Sequence, residues 1–215
     1  MRFTERFSRK PYLAGDGIYL RMPVRGDYAQ WADVRRASRS FLEPWEPRWA
    51  SDELAKPAFH LRLRRYNADF AEERSIALFM FRTSTDALLG GLTIGNIRRA
   101  AAQSCMIGYW MAENEAGKGL MLTALRTTIP YIFNSLKLHR IEAACIPDNR
   151  RSIRLLEKAN FQYEGYLRGY LKIDGRWRDH LLFAHLASDT TGMPATADSD
   201  RQTASMNVRS GETAI

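Results

Sequence analysis

The stretch that decides the fold reads Ile107-Gly108-Tyr109-Trp110-Met111-Ala112-Glu113-Asn114-Glu115-Ala116-Gly117-Lys118-Gly119-Leu120-Met121. It predicts a strand, then a glycine-containing turn, then the start of a helix. Glycine lets a backbone approach a ligand closely, and the first amides of a helix have no partner inside the helix. The turn is therefore a candidate pyrophosphate seat, although a plain turn before a helix gives the same pattern.

A second informative stretch follows: His139-Arg140-Ile141-Glu142-Ala143-Ala144-Cys145-Ile146-Pro147-Asp148-Asn149-Arg150-Arg151-Ser152. It predicts a strand that ends before a helix over Arg150–Ala159, with Asn149 as its N-cap. Asn160 stands where a helix-ending residue in the left-handed conformation is expected, and Phe161 begins the next strand.

Apolar patterning around these stretches predicts a mixture of strands and helices. The helical runs are Arg25–Phe41, Lys56–Glu73, Gly119–Leu136 and Arg150–Ala159. The strand-like runs are Ile18–Met22, Ser75–Phe81, Leu88–Ile94, Ser104–Met111, His139–Ile146, Phe161–Leu167, Tyr170–Ile173 and His180–Leu186. Because the two types do not alternate strictly, an α+β fold with a largely antiparallel sheet is predicted.

Two local signals refine this prediction. Asp174-Gly175 predicts a tight turn between the last two strands. Pro130 lacks a backbone donor and predicts that the helix over Gly119–Leu136 kinks or loses its regularity there.

The composition is that of one ordinary globular domain, with 215 residues of which 45% are hydrophobic and 26% charged. We expect an N-terminal extension over residues 1–16, the domain over 17–187 and a disordered tail over 188–215, since the tail has almost no large apolar groups. The net charge of +8 favours an acidic partner such as nucleic acid, a phosphorylated cofactor or a ribosomal surface.

The remaining bulk features narrow the class of protein. No run approaches the roughly 20 apolar residues of a membrane span, and the basic N-terminus lacks the apolar core of a signal peptide, so a cytoplasmic protein without a membrane partner is expected. Cys105 and Cys145 lie in apolar runs and predict buried free thiols. No cluster has metal-ligand spacing, so no metal is expected.

Together the two stretches resemble the GNAT superfamily of N-acetyltransferases, whose pattern is (Gln/Arg)-x-x-Gly-x-(Gly/Ala), then Asn-x-x-Ser and a helix ending in Gly-Phe. Further segments are similar to the RimJ/RimL branch, which includes ribosomal-protein-alanine N-acetyltransferases. They are Phe41-Leu42-Glu43-Pro44-Trp45-Glu46-Pro47, Gly117-Lys118-Gly119-Leu120-Met121, His139-Arg140-Ile141, Glu164-Gly165-Tyr166 and Ile173-Asp174-Gly175-Arg176-Trp177-Arg178-Asp179-His180. The similarity extends from about Ile18 to Leu186.

The resemblance implies the GNAT fold, a mixed and mostly antiparallel sheet with helices on both faces. Two central parallel strands, ending near Met111 and Ile146, would splay apart around the pantetheine arm of the cosubstrate acetyl-CoA. A backbone amide near Met111 would stabilise the oxyanion. The cofactor-binding residues that the resemblance implies are Trp110, Met111, Gly117, Lys118, Gly119, Leu120, Met121, Asn149 and Ser152.

The sequence also departs from the family pattern at four positions. Ala116 replaces the usual Gln or Arg, which removes one polar cofactor contact unless Lys118 or Arg150 substitutes for it. Asn160 replaces a glycine and tolerates its conformation. Leu156 and Leu171 stand where some relatives carry a catalytic tyrosine and glutamate, so neither role carries over.

The resemblance implies direct attack of a neutral amine on the thioester, and Cys145 is disfavoured as a nucleophile. An α-amine has a pKa near 7.7–8.0 and needs only weak base assistance, whereas a lysine amine near 10.4 needs more. Glu142 is the first candidate base, and Ser152 would lie by the leaving sulfur. Glu142 is otherwise a surface or ion-paired strand residue. Weaker candidates are Glu164, Asp174 and Asp179.

The expected acceptor is the N-terminal alanine of a ribosomal protein, with ribosome association as a further expectation. One alternative is a small-molecule amine, although the aromatic, proline-rich segment from Phe41 to Trp49 resembles a wall for a peptide. The other alternative is a basic ribosome-associated factor with little catalytic activity. The intact Gly117-Lys118-Gly119 turn argues against that second alternative, while Ala116 argues for it.

Overall fold

One mixed sheet organises the part of the chain that the computed structural model describes, residues 9–192. Its strands are β1 (Tyr12–Gly15), β2 (Ile18–Arg21), β3 (Ile76–Arg82), β4 (Leu88–Arg98), β5 (Ser104–Met111), β6 (Arg140–Cys145), β7 (Gln162–Ile173) and β8 (Arg176–Leu186). The α-helices are α1 (Tyr28–Ala37), α2 (Arg39–Leu42), α3 (Lys56–Ala71), α4 (Leu120–Pro130) and α5 (Arg150–Lys158).

The strand order is β1-β2-β3-β4-β5-β6-β8-β7. The central pair β5–β6 is parallel, and the other neighbouring pairs are antiparallel. The mixed, mostly antiparallel sheet predicted from the sequence is therefore confirmed.

Helices cover both faces of the sheet. On one face, α4 and α5 pack on the larger apolar core, which includes Leu78, Ile107, Leu125 and Leu156. On the other face, α1 and α3 pack on a smaller aromatic core, which includes Trp31, Phe59, Phe79 and Phe81. Alternate side chains of one strand thus enter different cores, as the period of two requires.

The parallel pair opens towards its carboxyl ends. The β5–β6 register runs from Ser104 with Arg140 to Met106 with Glu142. Beyond that point β5 follows β4 as far as Met111. In the same stretch β6 follows β8 as far as Cys145. The predicted splay of the central strands is therefore present, and it begins after Met106 and Glu142.

The boundaries of several elements differ from the sequence prediction. The sheet begins before the predicted boundary at residue 17, because β1 pairs with β2 across the two-residue turn Asp16-Gly17. β7 is one strand rather than two, with its irregularity absorbed near Gly169, whose φ is +53°. The helix predicted over Arg25–Phe41 breaks at Ser38 into α1 and α2.

Other local predictions hold. Regular α-helix ends at Pro130 and passes into a wider turn over Tyr131–Ser135, as expected for a residue without a backbone donor. The turn at Asp174-Gly175 joins β7 to β8. Asn160 has a φ of +64°, the left-handed conformation predicted for it.

The first part of the predicted disordered tail is ordered. Ala187–Gly192 forms a short 3-10 helix, and Asp189 accepts a hydrogen bond from the Leu186 amide at 2.9 Å. The rest of that tail, and residues 1–8 of the predicted extension, lie outside the described residues. Within 9–192, the helices are too short or too polar to cross a membrane.

Candidate active site at the opening between β5 and β6

The turn before α4 forms an open cradle of backbone amides. Gly117 and Gly119 have φ values of +80° and +81°, in the left-handed region that favours glycine. A Cβ built on either residue would have no atom within 4 Å, so the space above the turn is open. The Thr123 amide donates to the Gly119 carbonyl, so the amides of Leu120 and Met121 precede the first helical hydrogen bond. This geometry fits a pyrophosphate group, as the sequence predicts for this turn.

The cation in this turn is already paired. Lys118 Nζ donates to Glu115 Oε2 at 3.1 Å, and Arg82 Nη2 donates to the same oxygen at 2.7 Å. Burial raises the pKa of Glu115, but the two cations lower it more, so its pKa falls below the usual range. Lys118 is exposed and can exchange this carboxylate for a phosphate. Arg150 is also exposed, at the start of α5.

The two predicted cofactor residues at the end of β5 face opposite ways. The Trp110 indole lies on the backbone of Gly91, where an added Cβ would be 2.5 Å from Nε1, and it meets Phe79 edge-on in the smaller core. Met111 packs on the larger core. The Trp110 side chain is therefore directed away from the α4–α5 side. On that side, only the main chain of Trp110 borders the opening.

The Asn149 and Ser152 pair forms as the sequence predicts. Asn149 caps α5, since its Oδ1 accepts a hydrogen bond from the Ser152 amide at 3.1 Å. The Ser152 hydroxyl is thereby free to point away from the helix, and it meets the Tyr109 hydroxyl at an O–O distance of 2.7 Å. The sequence prediction did not include Tyr109, although it lies in β5 between Gly108 and Trp110.

The Cys145 thiol lies beside this pair of hydroxyl groups. Burial raises the pKa of Cys145 to about 11, although the neighbouring Ser152 hydroxyl lowers it somewhat. Burial also raises the pKa of Tyr109 above its ordinary value. Cys145 and Cys105 are free thiols and are buried, which confirms the sequence prediction. A thiol so weakly acidic is a poor nucleophile at neutral pH.

Glu142, the candidate base, is held in a charged network on the opposite face. Its Oε2 accepts from Arg98 at 2.9 Å and its Oε1 accepts from Arg140 at 3.0 Å. Arg140 also donates two hydrogen bonds to Glu164. Both carboxylate oxygens of Glu142 therefore have a cationic partner, and the residue lies at the closed end of the opening rather than along it.

The remaining candidate carboxylates also have partners. Asp174 Oδ1 lies 3.6 Å from Arg48 Nε at the tip of the β7–β8 hairpin. Asp179 accepts from the Tyr166 hydroxyl and from the Gly169 amide, both at 2.6 Å, and so fixes the irregular part of β7.

On the same face of the sheet as Glu142, Arg35 packs between aromatic rings, and this cluster with Trp49 is called the aromatic wall below. The Arg35 guanidinium lies 4.4 Å from the Trp49 ring and 5.2 Å from the Trp110 ring. It donates two hydrogen bonds to Glu46, which also accepts from Trp49 Nε1 at 2.8 Å. The segment between α2 and α3 is thereby fixed against the end of β5.

A cavity of about 570 Å³ lies between this segment and the β7–β8 hairpin. The Asp174 amide donates to the Glu46 carbonyl at 3.0 Å, which ties the hairpin to the wall. Arg178 reaches Asp148, just beyond β6, at 3.5 Å, so the cavity lies beside the mouth of the opening. The lining residues are Arg39, Ser40, Glu43, Pro44, Arg48, Trp49, Asp174 and Arg178.

A further buried group on this face is His180. His180 is buried, its Nδ1 lies 3.0 Å from the Arg178 carbonyl, and its ring meets Tyr170 edge-on. Burial lowers its pKa, so it is neutral at pH 7. The described residues contain no group of three or more His, Cys, Asp or Glu side chains that could hold a metal ion.

Comparison with known proteins finds a family and close relatives. Residues 18–162 match the family model described as acetyltransferase (GNAT) domain. The chain is 34% identical to the [ribosomal protein uS5]-alanine N-acetyltransferase of Escherichia coli, over 85% of this chain and 94% of that protein. It is 35% identical to the probable N-acetyltransferase YjcK of Bacillus subtilis, over 82% and 98% of the two chains. The structure of Mycobacterium smegmatis RimJ in complex with CoA-disulfide is similar with a TM-score of 0.78 and 33% identity, over 85% and 88%.

Proposed function

Because the chain belongs to the GNAT family of acetyltransferases, we propose that it transfers the acetyl group of acetyl-CoA to the N-terminal alanine of a ribosomal protein. The observation that carries the acceptor part is the 34% identity, over most of both chains, to an enzyme named for that substrate. A ribosomal acceptor places the reaction in the cytoplasm and provides the acidic partner that a net charge of +8 favours.

The cavity beside the opening supports a peptide acceptor. It is bounded by the aromatic wall of Trp49 and by the hairpin turn, and two exposed ion pairs on its hairpin side have long separations. The Arg48–Asp174 and Arg178–Asp148 distances are 3.6 and 3.5 Å. Exposed pairs of this kind contribute roughly 0–1 kcal/mol, so a passing peptide can replace one partner without a large penalty.

An α-amine also suits a site without a free strong base. Both carboxylate oxygens of Glu142 accept hydrogen bonds from arginines, so this carboxylate belongs to an ion-pair network and does not stand free beside the opening. An α-amine with a pKa near 7.7–8.0 is roughly a tenth or more neutral at pH 7, whereas a lysine amine is almost fully charged. The first needs little assistance, and water or a weakly held carboxylate suffices.

The test compares two peptides of identical sequence with acetyl-CoA as donor. One begins with a free alanine and has its lysine blocked; the other has a blocked N-terminus and a free lysine. Mass spectrometry should locate the acetyl group on the alanine peptide. Acetylation confined to the lysine peptide, or turnover only of small amines, would reject the proposed acceptor.

A matched pair of variants tests the route through the cavity. Arg48→Gln should raise KM for the alanine peptide by about two- to fivefold with kcat unchanged, in line with the small energy of an exposed pair. Arg64→Gln, on the exposed side of α3, is the control and should leave both constants as they are. Equal effects of the two variants would mean that general charge, and not this cavity, guides the peptide.

A further inference from the structure

Tyr109 and Ser152 meet where β5 and β6 have separated. Tyr109 lies three residues beyond the last β5–β6 pair, on the strand edge that borders the opening. Ser152 lies in the first turn of α5, directly after β6. The 2.7 Å hydrogen bond between their hydroxyls therefore spans the two sides of the opening.

We propose that Tyr109 is a positioning residue, whose hydroxyl orients the Ser152 hydroxyl so that Ser152 donates a hydrogen bond to the departing sulfur of coenzyme A. A serine hydroxyl has one proton and two acceptor sites. When Tyr109 donates to Ser152 Oγ, the serine proton is left free to point at a ligand. The proposal rests on the acetyl-CoA part of the proposed function.

The relative acidities decide between orientation and proton relay. Burial raises the pKa of Tyr109 above its ordinary value near 10, whereas a thiol titrates near 8.5. A proton passed from the phenol through Ser152 to the thiolate would therefore move uphill. The pair therefore holds its protons and stabilises the negative sulfur by hydrogen bonding.

The balance of the reaction is complete without a proton from Tyr109. The amine nitrogen forms a bond to the acyl carbon, and the carbon–sulfur bond breaks with its electron pair on sulfur. The nitrogen loses its proton to water or to a carboxylate. The hydrogen bond from Ser152 accommodates the charge on sulfur, as a preorganised donor does wherever charge develops.

Tyr109 also bears on the absence of a tyrosine at position 156 of α5. Leu156 is fully buried one turn further along α5, at the place where some relatives carry a tyrosine. Tyr109 brings a phenol to the same helix from the neighbouring strand. Its acidity and its contact with Ser152 give it a different task, which is orientation.

The first experiment measures binding and needs no acceptor. Calorimetry at pH 8.5, where about half of a free thiol is ionised, compares coenzyme A with desulfo-coenzyme A. The unmodified protein should bind coenzyme A more tightly, and Tyr109→Phe should reduce that preference about tenfold or more while leaving desulfo-coenzyme A affinity unchanged. Equal loss for both ligands would show a merely structural role and overturn the proposal.

The second experiment measures turnover. Tyr109→Phe should lower kcat about tenfold with little change in KM for acetyl-CoA, and by the same factor from pH 6.5 to 9. Ser152→Ala should be at least as slow, and the double variant should be no slower than Ser152→Ala alone. A deficit that changes with pH would indicate a relay, and additive losses would indicate independent residues; either would overturn the proposal.

Tyr131→Phe is the matched control, because Tyr131 is another phenol packed against the larger core. It should leave the ligand preference and kcat unchanged. If the alanine peptide is not acetylated but the preference for coenzyme A depends on Tyr109, the acceptor assignment fails and this inference stands.

Discussion

The two faces of the separated strands carry opposite chemistry. The α4–α5 face presents backbone amides at Gly117 to Met121 and the hydroxyl and thiol groups of Tyr109, Ser152 and Cys145. The other face is built from arginines, carboxylates and indole rings, with Glu142 and Arg35 at the centres of two networks. We propose that the first face, the cofactor face, seats acetyl-CoA and that the second, the acceptor face, receives the peptide. The parallel strand pair would then bring the two substrates together at its opening.

The largest expected effect comes from placing a charge on the cofactor face. Gly119→Asp keeps a residue type that tolerates φ of +81° and adds a carboxylate above the amide cradle. Unit charges about 5 Å apart at an effective dielectric near 20 repel by about 3 kcal/mol, so acetyl-CoA affinity should fall roughly a hundredfold. Calorimetry measures this affinity, and circular dichroism checks the fold.

Gly119→Asn is the matched control, with the same backbone requirement and nearly the same shape but no charge. It should lose much less affinity than Gly119→Asp. If both variants bind acetyl-CoA like the unmodified protein, the pyrophosphate is not seated at this turn, and the division of the two faces loses its main support.

The same comparison explains what the sequence could and could not reveal. The amide cradle before α4 is formed by residues 117 to 121, and the N-cap of α5 is formed by Asn149 and Ser152. Both motifs are local in sequence and can therefore be predicted from it. The opposite face joins Arg98 to Glu142, 44 residues apart, and Arg48 to Asp174, 126 apart. Pairings at such separations follow from strand register and loop packing, which no local pattern specifies.

The fold shows the same limit. Strands in the middle of the sheet were predicted because their apolar runs are long and buried. β1 was missed because Tyr-Leu-Ala-Gly is short and half exposed, yet Asp16-Gly17 is the same turn signal as Asp174-Gly175 and identifies the hairpin. No local pattern marks Tyr109 as a site residue, since its partner Ser152 is 43 residues away in the sequence.

An intermediate effect is expected from Glu142→Gln on the acceptor face. The change leaves Arg98 without its anionic partner and Arg140 with Glu164 alone, at a site where the Glu142 side chain is only 18% exposed. Loss of a charged hydrogen-bonded partner costs roughly 1–3 kcal/mol, or about 3–10 °C in melting temperature for a chain of this size. Turnover should fall by the same factor at each pH between 6 and 9.

The control for that variant is Glu157→Gln on the exposed surface of α5, which should keep its melting temperature. A turnover deficit that is large below pH 7 and disappears above pH 8 would contradict the expectation. It would instead assign Glu142 to proton removal from the amine, because that help is needed only while the amine is charged.

The smallest expected effect concerns His180 and the pH dependence of stability. Burial lowers the pKa of His180, the nearby Arg178 charge lowers it further, and Asp179 and the bond to the Arg178 carbonyl oppose them. A lowered folded pKa means that the unfolded chain binds the proton more readily. The contribution of His180 to stability is therefore complete above pH 6.5 and is lost as pH falls through the folded pKa.

His180→Asn tests this, because its amide can still donate to the Arg178 carbonyl but does not titrate. Losing the ring contact with Tyr170 should lower the melting temperature by a similar amount at every pH. Between pH 8 and pH 5, however, the unmodified protein should lose more of its melting temperature than the variant, because its unfolded chain takes up a proton that the buried His180 ring resists. Equal slopes would mean that His180 is hydrated in the folded state. Water would then reach the His180 ring on β8. The acceptor face would be solvated at this position as well as at its arginine networks.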